Sequence, residues 1–267
     1  MKRPLLVAAA VPAILIGLRV LPVGALSDDP APTPTAEAST QPTGPAGEAS
    51  NCRKTTTSGS GNTFLSWCFS DTGNIMKFES PVNQEHIRNG TFVEGYAICA
   101  TGVPDAFDNG QLSANFGAPS FPNANSVRRS TSAFQLDQTF SQNAAEKLVS
   151  VSMTIKNISG STKSNVRLSR FVDIDMNGTP SDDRWDKSVA STVALQSNML
   201  ALTARSFEVS KVSSVETFSD LFDDTGCDAT NSLTVPATGD NAGRVTYTIG
   251  NIGPGQSKTV IFRYSRI

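Results

Sequence analysis

The chain has 267 residues, 17% of them charged, with 22 basic against 24 acidic side chains and a formal charge of −2. This balance provides no basic surface for a nucleic-acid backbone or for anionic lipid. Four cysteines with no Cys-x-x-Cys pair leave little basis for zinc or for thioredoxin-like redox chemistry.

The first residues have the parts of a secretory signal. Lys2 and Arg3 form a basic start, and Leu5 to Leu18 is apolar apart from Pro12 and Gly17. The run is shorter than the roughly 20 residues that a membrane span needs. Cleavage is expected after Ala25 or Ser27, giving a leader over 1–27. The alternative is an uncleaved anchor. No cysteine stands near the cleavage site, so a lipoprotein is not expected, and the C-terminal Phe262 to Ile267 has no hydrophobic tail. Losing the leader removes three of the 22 basic residues and none of the 24 acidic ones, which moves the formal charge to −5. A secreted, extracellular protein with no stable membrane span is the expectation.

Residues 28–50 are low in complexity, with Pro30, Pro32, Pro34, Pro42 and Pro45 among Ala, Thr, Ser, Gly and Glu. Such a segment cannot bury enough apolar surface to offset its ordering entropy, and reads as an exposed linker. The folded domain is expected over 51–267.

That domain contains Cys52, Cys68, Cys99 and Cys227. An even count in an exported chain implies two disulfides, with three connectivities open. Cys52–Cys68 and Cys99–Cys227 is the favoured set. The first closes a local loop where the fold begins, and the second ties the two halves of the chain together.

Strand signals recur along the domain. Leu65, Trp67 and Phe69 alternate, a turn follows over Ser70–Asn74, and Met76 and Phe78 alternate after it. Phe92 to Cys99 is a strand. Thr101 to Ser126 is rich in Gly and Pro and reads as a long surface excursion. Phe134, Leu136 and Phe140 lead through a turn at Ser141-Gln142-Asn143 to Val149, Val151, Met153 and Ile155, which alternate with Ser150, Ser152 and Thr154. A strand from Val166 follows. Val189–Leu195 and Met199–Ala204 flank Gln196-Ser197-Asn198. Val245, Tyr247 and Ile249 precede Gly253-Pro254-Gly255, and Val260, Phe262 and Tyr264 close the chain. The one candidate helix is Val215 to Phe222, where Ser213 and Glu216 have capping-box spacing. The pattern predicts an all-β, antiparallel β-sandwich, immunoglobulin-like or a supersandwich, with at most one short helix.

Two resemblances rest on particular segments. Val151-Ser-Met-Thr-Ile-Lys-Asn-Ile-Ser-Gly160 and Val245-Thr-Tyr-Thr-Ile-Gly-Asn-Ile-Gly-Pro-Gly-Gln-Ser-Lys-Thr-Val-Ile-Phe262 resemble strands and the closing hairpin of immunoglobulin-like modules of bacterial surface proteins. Gly73-Asn-Ile-Met-Lys-Phe-Glu-Ser-Pro-Val-Asn-Gln-Glu-His86 is similar to the opening strand pair of galactose mutarotase-like supersandwich proteins. The strand ending at Asn157 resembles the one before their active-site turn. That family's catalysis uses His and Glu in set contexts. The single histidine here, His86, lies outside any matching motif, so the second resemblance implies a fold and not the epimerase activity. Taken whole, the chain resembles uncharacterised secreted bacterial β-sandwich proteins, which implies a fold and a compartment but no activity.

The chain concentrates its chemistry at one strand exit. Asp173-x-Asp175-x-Asn177-Gly178 matches the first half of a calcium loop, with oxygen ligands at alternate positions and a glycine for the turn. Thr179 could offer its carbonyl, and Asp182 or Asp183 a further carboxylate. Arg184 stands where an EF-hand needs its bidentate Glu, so a β-loop calcium site is the form this would take. The alternative is an Asx-rich exit whose Asp side chains cap backbone N–H groups. Arg170 falls on the buried phase of Val166, Leu168 and Val172, so it either pairs with a carboxylate or is rotated outward by a bulge.

A glycosidase would need two carboxyls across a cleft, and nothing in the sequence pairs Asp173, Asp175, Asp186, Glu79 or Glu94. His86 reads as a surface or partly buried residue, with no Gly-x-Ser-x-Gly elbow to partner it. Asn89, Asn157 and Asn177 fit the glycosylation acceptor pattern. Trp185, in a polar run, either stacks on a ligand or anchors its loop, and the anchor is favoured. These features favour a non-enzymatic binding or surface-interaction protein over an enzyme. A carbohydrate or cell-surface ligand would be its partner and calcium its one candidate cofactor. A carbohydrate-active protein and a structural envelope component are the alternatives.

Overall fold

The computed structural model describes residues 52–87, 94–179, 181–195, 199–205, 209–219, 226–229 and 231–267, without the side chains of Asn177 and Leu195. The expected leader (1–27), the linker (28–50) and the acceptor site at Asn89 lie outside these residues.

Nearly all of the regular structure among the described residues is strand. In order these are β1 (Cys52–Ser58), β2 (Leu65–Ser70), β3 (Ile75–Glu79), β4 (Glu94–Ala100), β5 (Val103–Asp108) and β6 (Ser113–Ala114). Next come β7 (Ser126–Ser130), β8 (Phe134–Asn143), β9 (Leu148–Asn157), β10 (Lys163–Asp173), β11 (Arg184–Ser188) and β12 (Ser191–Leu195). The last are β13 (Met199–Ala204), β14 (Ser210–Thr217), β15 (Ala237–Thr238), β16 (Asn241–Ile252) and β17 (Ser257–Arg266). They form an eight-stranded sheet in the order β15-β11-β12-β13-β17-β9-β8-β7, a six-stranded sheet in the order β14-β16-β10-β4-β5-β6, and a small sheet β1-β2-β3. Their pairs are antiparallel. Sheets of eight and six strands exceed the seven to nine strands of an immunoglobulin domain, so the larger sandwich is the one observed.

Period-two alternation explains the core. Val149, Val151, Met153 and Ile155 on β9 are each fully buried, as are Val260, Phe262 and Tyr264 near the end of the chain. They meet Tyr96, Ile98, Val166, Leu168, Val245 and Tyr247 from the six-stranded sheet. The small sheet packs against β8. Phe69 stacks on Phe140 at 4.1 Å, and the Trp67 indole N–H donates to Gln142 Oε1 at 2.7 Å. A bulge in the β2–β3 pairing turns Met76 away from this core and sets Ile75 into it beside Phe78, so the alternation of Met76 with Phe78 does not hold.

Several local expectations change. Ser141 to Asn143 continue β8, and the turn comes after them. Val189 and Ala190 form the turn before β12. The stretch from Thr101 to Ser126 contains β5 and β6. Its polar Asp108 hides the period because it is buried in an ion pair with Arg129 (3.0 Å). The candidate helix is strand where it begins: Val215 to Thr217 end β14, and 220–222 lie outside the described residues. Glu216 there accepts from the Arg244 guanidinium on β16 (2.9 Å), a cross-strand partner that its local spacing could not reveal.

Arg170 is fully buried on β10 and bound on all sides. Its Nε donates to Glu94 Oε1 (2.8 Å) and to the Tyr264 hydroxyl (2.9 Å), which in turn donates to Glu94. Its Nη1 donates to Gln138 Oε1 (2.9 Å), and its Nη2 to the Gly73 carbonyl (3.0 Å). Gly73 sits at φ +95°, and a Cβ there would stand 2.2 Å from the Gln138 amide, so only glycine lets this carbonyl reach the guanidinium. Glu94 also accepts from the Ile75 N–H (2.6 Å). Of the two options for Arg170, pairing is the one realised.

Both disulfides join as favoured, Cys52 to Cys68 and Cys99 to Cys227, and the cysteines are all accounted for. The sequence separation of 128 residues gives the second the larger effect on the unfolded chain, on the order of 5 kcal/mol in the chain-entropy model. Two disulfides fit an oxidising, extracellular setting. No helix among the described residues is long and apolar enough to cross a membrane.

Two outcomes are expected. Arg170→Ala leaves Glu94 buried without its counter-charge and should cost about 3–5 kcal/mol in urea denaturation. Arg170→Met with Glu94→Gln should recover part of that loss, because no bare charge remains. Thiol labelling of the denatured, unreduced protein should find no reactive cysteine. Stoichiometric labelling would contradict the pairing.

Candidate functional site

β10 leaves the six-stranded sheet at Asp173, and Asp175 follows before a short 3-10 turn over Met176–Gly178. Two carboxylates two residues apart at a strand exit thus come from the same element. A third, Asp240, is brought in by the turn between β15 and β16, because Asp173 lies in register with Ala242 on β16. One oxygen from each of Asp173, Asp175 and Asp240 lies within 4.8 Å of the others. Oxygens on a calcium shell of 2.3–2.6 Å radius are separated by at most about 5 Å, so the spacing suits one cation.

The electrostatics are unusual for a buried cluster. Asp173 is 4% exposed and Asp175 is 2% exposed, while Asp240 faces solvent. Burial, then the charges of Asp175, Asp240 and Asp183, push the Asp173 carboxyl well above its ordinary range. Asp175 is pushed up to about 8 by burial, then by Asp240, Asp183 and Glu85. Asp183 rises to about 7 for the same reasons, although it accepts from the Met176 N–H at 2.9 Å. Partial burial raises Asp240. The charges acting on Asp173 and Asp175 are all carboxylates. One oxygen each of Asp173 and Asp183 is buried with no hydrogen-bond partner.

The structure thus brings together part of the expected ligand set. Asp173 and Asp175 converge, and Asp183 stands beside them as the cap of the Met176 N–H. Thr179 is exposed, and its hydroxyl donates to the Met176 carbonyl (3.0 Å). Asp182 is exposed on the surface. The Asn177 side chain lies outside what is described. Among the described residues, backbone capping accounts for Asp183, whereas Asp175, the residue preceding the 3-10 turn, makes no side-chain cap bond. Asp240 escapes sequence reading. It sits in an ordinary Gly-Asp-Asn turn, and only the pairing of β16 with β10 carries it to the site.

Trp185 follows Asp183 by two residues. It is fully buried on β11, and Gly243 of β16 packs onto it so closely that a Cβ would stand 3.0 Å from the ring and 2.2 Å from Thr192 Oγ1. The indole therefore anchors the loop and is not presented to a stacked ligand. His86 is also fully buried, contrary to expectation. Its Nε2 meets the Ser80 carbonyl at 2.9 Å, and its own carbonyl accepts the Asp175 N–H at 3.0 Å. Asn157 is a buried brace: its amide donates to the Ser161 and Ile252 carbonyls, both at 2.8 Å. Glu94 is sealed in the core against Arg170, and Glu79 pairs with Lys77 at 2.6 Å.

A second feature lies on the outer face of the six-stranded sheet. A shallow pocket of about 430 Å³ is lined by Thr101, Asp105, Asn165, Arg167 and Thr248 over Ala100. These side chains span four neighbouring strands, and Arg167 pairs with Asp228 beside the Cys227 disulfide.

No protein-family model matches the chain, and no curated protein does. Among solved structures, the chain is similar to a bacterial glucoamylase complexed with acarbose, with a TM-score of 0.53 and 8% identity. The match covers 83% of this chain and 34% of that one, so the chain spans about a third of its neighbour. At this identity the likeness shows a β-sandwich fold.

The raised carboxyls set a pH dependence for the metal-free protein. A carboxyl whose folded pKa lies above its unfolded value holds a proton in the folded state that the unfolded state releases. Stability is therefore greatest below pH 4 for these groups and falls as pH rises toward 8. In chelator, the melting temperature should fall between pH 5 and pH 8. A rise over that window would contradict the assignment.

Proposed function

We propose that this protein is an extracellular, non-enzymatic β-sandwich that binds calcium at the exit of β10 and serves in ligand or surface contact. One observation carries the calcium reading. Three buried carboxylates elsewhere each have a buried arginine: Glu94 with Arg170, Asp108 with Arg129, and Glu216 with Arg244. Asp173 and Asp175 are as deeply buried, yet only carboxylates act on them. Uncompensated buried charge is costly, and a cation removes the cost. The donors are all oxygen, which suits a hard cation and not zinc. The leader and linker read from the sequence would export the domain and hold it out.

The polar pocket on the six-stranded sheet favours carbohydrate as the contacted ligand, since Asp, Asn and Arg side chains suit sugar hydroxyls, and the fold likeness to a glucoamylase is in keeping with it. A carbohydrate-active enzyme and a structural envelope component are the competing readings. A glycan array separates them: binding without turnover is expected, turnover would establish an enzyme, and no signal would leave an envelope role.

Calcium at a hundredfold excess over Kd should stabilise the fold by about 2.7 kcal/mol. That corresponds to roughly 5–10 °C in melting temperature for a domain of this size. Asp175→Ala should abolish the increment and leave the melt in chelator unchanged or higher, because a buried carboxyl with no counter-charge is removed. A wild-type melt that does not move in millimolar calcium would retire the site.

A further inference from the structure

The acidic cluster lies between two crossovers. The first carries the chain from the six-stranded to the eight-stranded sheet: Asp173 ends β10, Asp175 follows, and β11 begins at Arg184. The second carries it back: β15 ends at Thr238, Asp240 follows, and β16 begins at Asn241. The two run side by side at one end of the sandwich. Asp173 is in register with Ala242, and the Gly239 N–H donates to the Asp183 carbonyl at 3.0 Å.

β15 is the outermost strand of the eight-stranded sheet, and it is weakly held. It pairs with β11 through Arg184↔Thr238 and Trp185↔Ala237 alone. A two-residue strand contributes little pairing energy of its own. The carboxylates are divided between the crossovers, with Asp173 and Asp175 on one and Asp240 on the other. Asp173 Oδ1 is buried, has no hydrogen-bond partner, and belongs to the group that converges with Asp240. A cation bound by carboxyls from both crossovers would draw each of them to the same ion.

We infer, resting on the calcium reading above, that the ion is a clasp between the two crossovers: bound calcium holds β15 against β11, and its release opens that edge of the eight-stranded sheet. Asp240 is the residue that makes the site a clasp. Asp173 and Asp175 by themselves could hold an ion without touching β15. Opening would leave the backbone of β11 as an unpaired edge, the kind of surface to which another strand can add.

Hydrogen exchange of the full chain, followed by mass spectrometry in millimolar calcium and in chelator, tests this beside titration calorimetry with calcium chloride. Calcium should slow exchange at 237–243 and 184–187 by tenfold or more. Asp240→Asn should weaken calcium binding at least tenfold and lose the protection at 237–240, while its melt in chelator stays at or above wild type. Calorimetric binding with unchanged exchange at 237–243 would overturn the clasp and leave the calcium site standing. Unweakened binding by Asp240→Asn would do the same. No heat of calcium binding in wild type would overturn both.

Discussion

The position of Arg170 constrains everything around it. A guanidinium at the centre of a sandwich is tolerable only if every face of it is met, and here the partners come from all three sheets. Gly73 comes from the turn of the small sheet, Glu94 from the neighbouring strand of the six-stranded sheet, and Gln138 and Tyr264 from the eight-stranded sheet. The arrangement is a polar core inside an apolar one. Phe69, Met153, Leu168 and Tyr247 supply the burial that drives the sheets together. The polar partners of Arg170 decide how they sit, since a shift of one strand would strand a charge. Removing one partner of such a network leaves a bare buried charge, whereas replacing the whole of it by apolar side chains need not weaken a fold.

The same strand carries the opposite solution at its end. In its middle, β10 buries a charge and surrounds it with partners. At Asp173 it buries a charge beside other carboxylates. The rest of the protein treats buried charge consistently, with Arg129 and Arg244 placed against Asp108 and Glu216. Against that background the acidic end is a local departure. Departures from consistent local rules are expected where a fold serves a purpose other than stability.

The fold alone does not decide that purpose. A sandwich of this kind is shared with a part of a glucoamylase, but a scaffold can host unrelated sites. Function here has to be argued from the acidic crossovers and the polar pocket, which lie on different parts of the six-stranded sheet. One would hold a rigid end of the domain together, and the other would offer hydroxyl-binding groups on an exposed face.

The all-β class, the antiparallel pairing of β8 with β9 and the disulfide framework were legible in the sequence, whereas the expected closing hairpin is not formed, because β16 pairs in the six-stranded sheet and β17 in the eight-stranded one. Alternation such as Val149 to Ile155 is a local property, and burial of one face follows from it directly. The first half of the candidate site was legible for the same reason, because Asp173 and Asp175 are neighbours in the chain. What the local pattern could not contain was partnership across sheets. Glu216 with Ser213 has the spacing of a helix cap, and becomes strand because Arg244 waits on β16. Asp108 obscures a strand because its mate, Arg129, lies beyond the loop. Trp185 reads as an anchor or a platform, with the anchor favoured, and its burial under Gly243 decides for the anchor. Asp240 has no motif of its own and joins the site through the register of β16 on β10. Sequence alone determined most of the strands and, through its cysteines, the disulfides that fit an oxidising setting. Which buried carboxylates found an arginine, and which came to lie beside other carboxylates, was decided only when the sheets came together, because that depends on distances between residues far apart in the chain.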